Sequence, residues 1–263
     1  MTQDAGIDAQ AVADILITAE RERKGIAQIS DDHPDVDVAT AYPAQQAFVR
    51  SKLDAGETFL GYKLGLTSRN KQQAMGLDAP LYGRVTSGMI STHGDPVRLD
   101  RFAHPRVESE IAFLLARDIE APATVTSVLA ATDVVLGAVD VLDSRYESFR
   151  FTLSDVVADN ASAGAFYLGP VARRPDELVD LRLLGCVVRV DGEVAMTAAG
   201  AAVMGHPAAS VAWLANQLAA EGERLRAGQL VFSGGVTAPV PVVADGSVTF
   251  EFDGLGVIEV YAA

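Results

Sequence analysis

Arg106-Val107-Glu108-Ser109-Glu110-Ile111-Ala112-Phe113-Leu114-Leu115 is the stretch on which the reading of this chain turns. Its composition is that of a half-buried β-strand. Side chains alternate faces along a strand, so Val107, Ile111, Phe113 and Leu115 share one side. Glu108 and Glu110 lie together on the other. Two neighbouring carboxylates repel unless a positive charge sits between them. A hard divalent cation such as Mg²⁺ or Mn²⁺, which prefers oxygen ligands, meets that need. A solvated strand face with no ligand is the competing reading of the same residues.

Outward from this strand the pattern is mixed. Helical spacing predicts a helix over 8–24, ending before Gly25, and a second from Tyr42 to Ala55, stopped by Gly56. The polar, Pro-broken segment 28–37 reads as a loop. Thr58 to Leu66 reads as a Gly-containing strand, and Ser68 caps an expected short helix over 69–75. Beyond residue 105, short apolar strands are expected at 106–116, 134–142, 164–169, 181–190, 193–198, 229–233, 247–252 and 255–261. Val190-Asp191-Gly192-Glu193 is a hairpin turn, because Asp-Gly accepts positive φ. Helices interrupt near 124–133 and from Pro207 to Ala220. Strands without regular βαβ alternation imply an α+β fold: a β-rich body over 58–263 behind a helical region at 1–57.

The 263 residues, 49% of them hydrophobic, suffice for a sizeable core. A net charge of −14 argues against nucleic-acid binding and requires local cations for any anionic substrate. No apolar run approaches the ~20 residues of a membrane span, and the N-terminus lacks the features of a signal peptide, so a cytoplasmic protein is expected. The single cysteine, Cys186, reads as a packed strand residue.

Other segments carry candidate chemistry. Lys63, in Gly61-Tyr62-Lys63-Leu64-Gly65, either snorkels to solvent or sits in a pocket with a shifted pKa. Asp78, in GLDAPLYG (76–83), looks like turn chemistry. Asp140 lies in an apolar strand and needs an arginine or a metal as partner. Asp143 reads as structural, paired with Arg145. The cluster Asp159-Asn160-Ala161-Ser162 reads as a hydrogen-bonded turn. The four histidines lack zinc-ligand spacing, no GxSxG elbow is present, and Trp213 falls at core helical spacing.

Seven segments in order, YKLGLTS (62–68), GLDAPLYG (76–83), HPRVESEIAFLLARDI (104–119), VDVLDSR (139–145), DVVADNAS (155–162), LRAGQLVFSGG (225–235) and GLGVIEV (254–260), resemble the hydratase/decarboxylase branch of the fumarylacetoacetate hydrolase superfamily. The resemblance implies a β-rich roll with helices at the N-terminus. It implies a metal-dependent lyase of aromatic meta-cleavage catabolism, either a 4-oxalocrotonate (2-oxo-3-hexenedioate) decarboxylase or a 2-keto-4-pentenoate hydratase. Tyr146 and Phe149 resemble the decarboxylases, since hydratases have Ile or Val and Trp there. The resemblance further implies Mg²⁺ or Mn²⁺ held by Glu108, Glu110 and Asp140, the last standing where the family usually has Glu. Lys63, Asp78 and Ser162 match catalytic positions of the family, and Lys63, Leu64 and Ser162 its substrate-binding positions. The implied partner is a small anionic 2-oxo acid, and the implied assembly is a homo-oligomer or a complex with a sister hydratase. A non-catalytic scaffold for such a hydratase is the alternative of another class.

Overall fold

The first helix, α1 (Ala9–Glu22), starts where the Asp8 carboxylate accepts the Ala11 N–H at 2.8 Å, and ends where Arg23 turns left-handed. The computed structural model describes residues 6–68, 72–73, 79–178 and 180–263. Within the expected loop 28–37 lies a single turn, α2 (Ile29–Asp32). The next helix, α3 (Val38–Asp54), begins earlier than its apolar spacing suggests, because Asp37 caps it by accepting the Thr40 N–H at 2.9 Å.

The strands form two sheets. β1 (Phe59–Gly65) pairs antiparallel with β2 (Leu81–Thr86) and parallel with β9 (Leu230–Phe232). β9 continues onto β4 (Arg106–Leu115), which pairs antiparallel with β5 (Thr132–Leu142), and that with β6 (Ala163–Arg173). Short strands β3 (Ile90–Ser91) and β10 (Val240–Pro241) pair with β6 and β4. Together they make an eight-stranded mixed sheet among the described residues. A second sheet runs β12 (Gly256–Tyr261), β11 (Ser247–Phe252), β7 (Gly185–Val190), β8 (Glu193–Ala199). Its β7–β8 hairpin turns at Asp191 and Gly192, with φ of 48° and 86°, the conformation that Asp-Gly favours. This is the expected α+β, β-rich arrangement.

Some expectations change. The segment over 76–83 does not end as a turn, since Leu81, Tyr82 and Gly83 open β2. The strand expected over 181–190 begins only at Gly185, after a turn at 181–183. The cluster around 156–162 is not simply a turn. A helix, α5 (Leu153–Ala158), precedes it, capped reciprocally by Thr152 and Asp155. The remaining helices, α4 (Val125–Ala131) and α6 (Pro207–Ala220), lie where predicted.

The main core joins both sheets to α6 through residues such as Phe113, Val139, Val211, Leu214 and Phe250. A second core gathers Val12, Leu16, Phe48 and Val49 from α1 and α3. Leu81, Tyr146, Val156 and Ala161 complete it, so the helical layer packs directly over the segment that follows β5.

Candidate metal centre and cleft

Antiparallel register brings the acidic residues together. On β4 and β5, Glu108 stands directly opposite Asp140, and Glu110 opposite Ala138. One ligand oxygen from each of Glu108, Glu110 and Asp140 lies within 4.8 Å of the others. The face is not solvated, because all three side chains are buried. That removes the bland reading of a charged, water-facing strand. Asp140 finds a lysine rather than an arginine: Lys63 Nζ stands 2.6 Å from its Oδ2. β1 reaches this position across β9, whose Phe232 pairs with both Lys63 and Ala112.

The electrostatics are lopsided. Burial first, then Asp140, hold the Glu110 carboxyl well above the usual carboxylate range, against the pull of Lys63 and the Gly234 N–H. Burial would lower the Lys63 ammonium, but Asp140, Glu110 and Glu108 outweigh it and keep the group charged. Glu110 Oε2 accepts from Gly234 N–H at 2.9 Å, while its Oε1 is buried with no hydrogen-bond partner. An oxygen-only donor set, one orphaned ligand atom and a surplus of negative charge fit a hard divalent cation.

A left-handed turn forms the adjoining wall. Asn160, Ala161 and Ser162 have φ of 50°, 55° and 55°. Each such residue costs roughly 1–2 kcal/mol, so the turn must be held from outside. The Asn160 side chain does this by pairing with the Arg84 backbone, accepting from its N–H at 2.7 Å and donating to its carbonyl at 2.9 Å. Gly83 allows the approach, since a Cβ there would meet the Asn160 carbonyl oxygen at 2.6 Å. Buried Arg145 grips the other side, bonding the Asp159 carboxylate and carbonyl and donating to the Ala163 carbonyl at 3.0 Å. The turn thereby aims the Ala161 carbonyl at Lys63 Nζ, 2.9 Å away.

Arg145 therefore pairs with Asp159 and not with Asp143, of which it contacts only the carbonyl, at 2.8 Å. Asp143 instead accepts the N–H groups of Ala103 and His104 at 3.0 and 2.9 Å, tying down the approach to β4. Burial pushes the Asp159 carboxyl up to about 6 despite Arg145, which still leaves it ionised at neutral pH.

A cleft of about 340 Å³ opens onto this centre. Lys63, Glu108 and Ser162 line it, as do Arg106, Leu142 and Phe149. Ser162 Oγ donates to Asp159 Oδ2 at 3.1 Å. Leu64 lies in the main core and is not among the lining residues, whereas its neighbours Lys63 and Gly65 are. Asp78 lies outside the described residues. Of the two decarboxylase-like residues, Phe149 lines the cleft and Tyr146 is buried in the helical layer's core. The Phe149 ring stacks on His104 with centroids 4.9 Å apart, and the Arg106 guanidinium lies 4.2 Å from its centroid. Arg106 escaped the sequence reading. Its signal was available, since it shares the even-numbered face of β4 with both glutamates.

Three comparisons bear on this geometry. Residues 62–261 match the family profile described as fumarylacetoacetate (FAA) hydrolase C-terminal. Over 246 residues the chain is 42% identical to a 4-oxalocrotonate decarboxylase of Pseudomonas sp. (strain CF600), covering 93% of each chain. Over 259 residues it is 36% identical to a 2-keto-4-pentenoate hydratase of Burkholderia vietnamiensis, covering 97% of each. The solved structure of 4-oxalocrotonate decarboxylase from Pseudomonas putida G7, complexed with magnesium and adipate, superposes with a TM-score of 0.93 at 38% identity, covering 97% of each chain.

Proposed function

The chain belongs to the fumarylacetoacetate hydrolase family, and from that premise we propose that it is a metal-dependent decarboxylase of 2-oxo-3-hexenedioate, forming 2-hydroxypenta-2,4-dienoate. The observation that carries this reading is the buried triad Glu108, Glu110 and Asp140, with Lys63 against it, beside a cleft that Glu108 and Lys63 line. These residues would hold Mg²⁺ or Mn²⁺. Such a cation supplies Lewis acidity where charge develops on the C2 oxygen of a 2-oxo acid.

The chain's own residues do the rest. In the reaction the C5–C6 bond breaks, CO₂ departs, and its electron pair moves through the C3–C4 double bond onto the C2 oxygen. Lys63, kept protonated by the carboxylates around it, offsets that charge and offers a proton. Ser162 is assigned to hydrogen-bonding substrate oxygens, for which its one hydroxyl proton must turn from Asp159 to the substrate. Asp78 is assigned to orienting Lys63 or relaying protons, and Leu64 to substrate binding. Leu142 and Phe149 keep water from the distal end.

The hydratase reading rests on relatives such as the 36% identical enzyme from Burkholderia vietnamiensis. It would use the same centre, with a proton added at C5 and water at C4. A purely structural partner is disfavoured by an intact, buried carboxylate–lysine cluster, which costs stability and serves no packing purpose. No described helix is long and apolar enough to cross a membrane. A cytoplasmic location, with self-association or a complex with a sister hydratase that takes the product, completes the proposal.

The test is a paired assay with Mg²⁺ or Mn²⁺. One reaction receives 2-oxo-3-hexenedioate and is followed by CO₂ release; the other receives 2-hydroxypenta-2,4-dienoate and is followed by 4-hydroxy-2-oxopentanoate. Metal-dependent CO₂ release without hydration is expected. Hydration alone would transfer the chain to the hydratases.

A further inference from the structure

Glu108, the member of the triad that lines the cleft, is joined there by a second residue of β4, Arg106. Arg106, Glu108 and Glu110 occupy alternate positions of β4 and so project to one face. At about 3.3 Å per residue, Arg106 is displaced from Glu108 by about 6–7 Å along the strand. An extended six-carbon chain spans a similar distance between its terminal carboxyl groups. Lys63 and Arg106 are the cations among the described residues lining the cleft. Lys63 is engaged by Asp140 and the Ala161 carbonyl.

Arg106 is held differently. It is half-buried, and its guanidinium lies 4.2 Å from the centroid of Phe149. A guanidinium held over a ring by cation–π attraction keeps N–H donors free to meet a carboxylate. Phe149 is fixed in turn by stacking on His104, whose Nε2 is 2.7 Å from the Ser144 carbonyl oxygen. Ser148 and Phe149 both adopt left-handed backbone, with φ of 58° and 56°, as the chain brings this ring to the cleft. In a chain of net charge −14, a cation pre-oriented in this way is a specific provision for an anion.

We propose that Arg106 binds the distal carboxylate of a dicarboxylic 2-oxo acid, and so sets the preference for substrates with two carboxyl groups over those with one. This rests on the reading of the triad as the centre that holds the 2-oxo acid end. A consequence separates recognition from chemistry. The distal carboxylate leaves as neutral CO₂, so a cation paired with it stabilises the ground state more than the transition state. Arg106 therefore acts on KM and does not raise kcat, which makes it a specificity residue.

The experiment uses the Mg²⁺-loaded full-length protein and two saturated probes, 2-oxoadipate and 2-oxohexanoate. Neither has the double bond through which the leaving electrons must travel, so binding is measured by calorimetry without turnover. Wild type is expected to bind 2-oxoadipate about ten- to a hundred-fold tighter, the worth of a charge-assisted hydrogen bond to a carboxylate. Arg106→Met is expected to lose that preference while its affinity for 2-oxohexanoate stays within about twofold of wild type. With 2-oxo-3-hexenedioate, the same variant is expected to raise KM by a similar factor with kcat held or increased.

Retention of the preference in Arg106→Met overturns the proposal, as does an equal loss of both ligands, which would make Arg106 a support of the metal end. Arg106→Lys, which keeps the charge and loses the fork, is expected to fall between the two; a lysine variant no better than Met would deny that charge is being read. Failure of wild type to bind either probe would bring down the triad reading itself, whereas equal binding of both refutes the role of Arg106 alone.

Discussion

Glu110→Gln separates stability from function at this centre, because the two should move in opposite directions. With ligand oxygens within 4.8 Å, each ionised carboxylate pair repels by about 3–4 kcal/mol at an effective dielectric near 20. Burial, and after it Asp140, push the Glu110 carboxyl well above the ordinary range, so its charged form is the disfavoured one here. The amide keeps an oxygen for the Gly234 N–H, bonded at 2.9 Å, and turns an N–H donor toward the remaining carboxylates. The metal-free variant should therefore gain about 1–2 kcal/mol, a part of the repulsion that the neutral amide removes. At about 2–4 °C per kcal/mol for a chain of this size, that raises Tm by roughly 2–8 °C. Wild type should gain about 2.7 kcal/mol from Mg²⁺ at a hundred times its Kd, and the variant almost nothing. CO₂ release should fall by more than about a hundredfold. Thermal unfolding with and without Mg²⁺, beside the CO₂ assay, reads all three quantities. Retained turnover at saturating Mg²⁺ would refute the ligand role, and a metal-free variant several kcal/mol less stable would refute the electrostatic account.

Arg145→Met strands the buried Asp159 carboxylate and releases the left-handed turn at 160–162, so urea unfolding should show a loss of about 3–5 kcal/mol. The surviving folded fraction should also be slow, because the turn carries the Ala161 carbonyl that positions Lys63. His206 caps α6 by accepting the Ala208 N–H at Nδ1, 3.0 Å away, which a protonated ring cannot do. Burial holds this imidazole below its ordinary value. The folded state thus binds the proton less readily than the unfolded chain, so the cap's contribution is complete above about pH 6.5 and fades as pH falls through the lowered folded value. The stability difference between wild type and His206→Ala should be about 1 kcal/mol near neutral pH and shrink in acid. A difference that is flat across that range would dismiss the cap.

Much of this site was legible in period-two alternation. The pairing of Glu108 with Glu110, the strand carrying Asp140 and the Asp191-Gly192 turn all follow from local spacing. Register was not legible: nothing local says that Asp140 stands opposite Glu108, since cross-strand partners are chosen by the whole sheet. Burial of the acidic face escaped for the same reason, because the strand and turn that cover it come from residues 61–65 and 160–162. The left-handed run at Asn160-Ala161-Ser162 contains no glycine and is imposed by Arg84 and Arg145 from other elements, Arg145 acting through the adjacent Asp159. By contrast, α5 was readable from Thr152 and Asp155, a capping pair ahead of an apolar run, and α3 from Asp37. In both, the capping residue fixed the helix start where apolar periodicity alone misplaced or missed it.

The proposed chemistry requires one divalent cation, held by Glu108, Glu110 and Asp140. The most direct test is to strip the protein with chelator and titrate Mn²⁺ back, following bound metal by paramagnetic resonance and CO₂ release from 2-oxo-3-hexenedioate in the same samples. One tightly bound Mn²⁺ per chain is expected, with activity rising in proportion to its occupancy from a baseline near zero. Undiminished CO₂ release from the stripped protein, or Mn²⁺ binding that leaves activity unchanged, would contradict it.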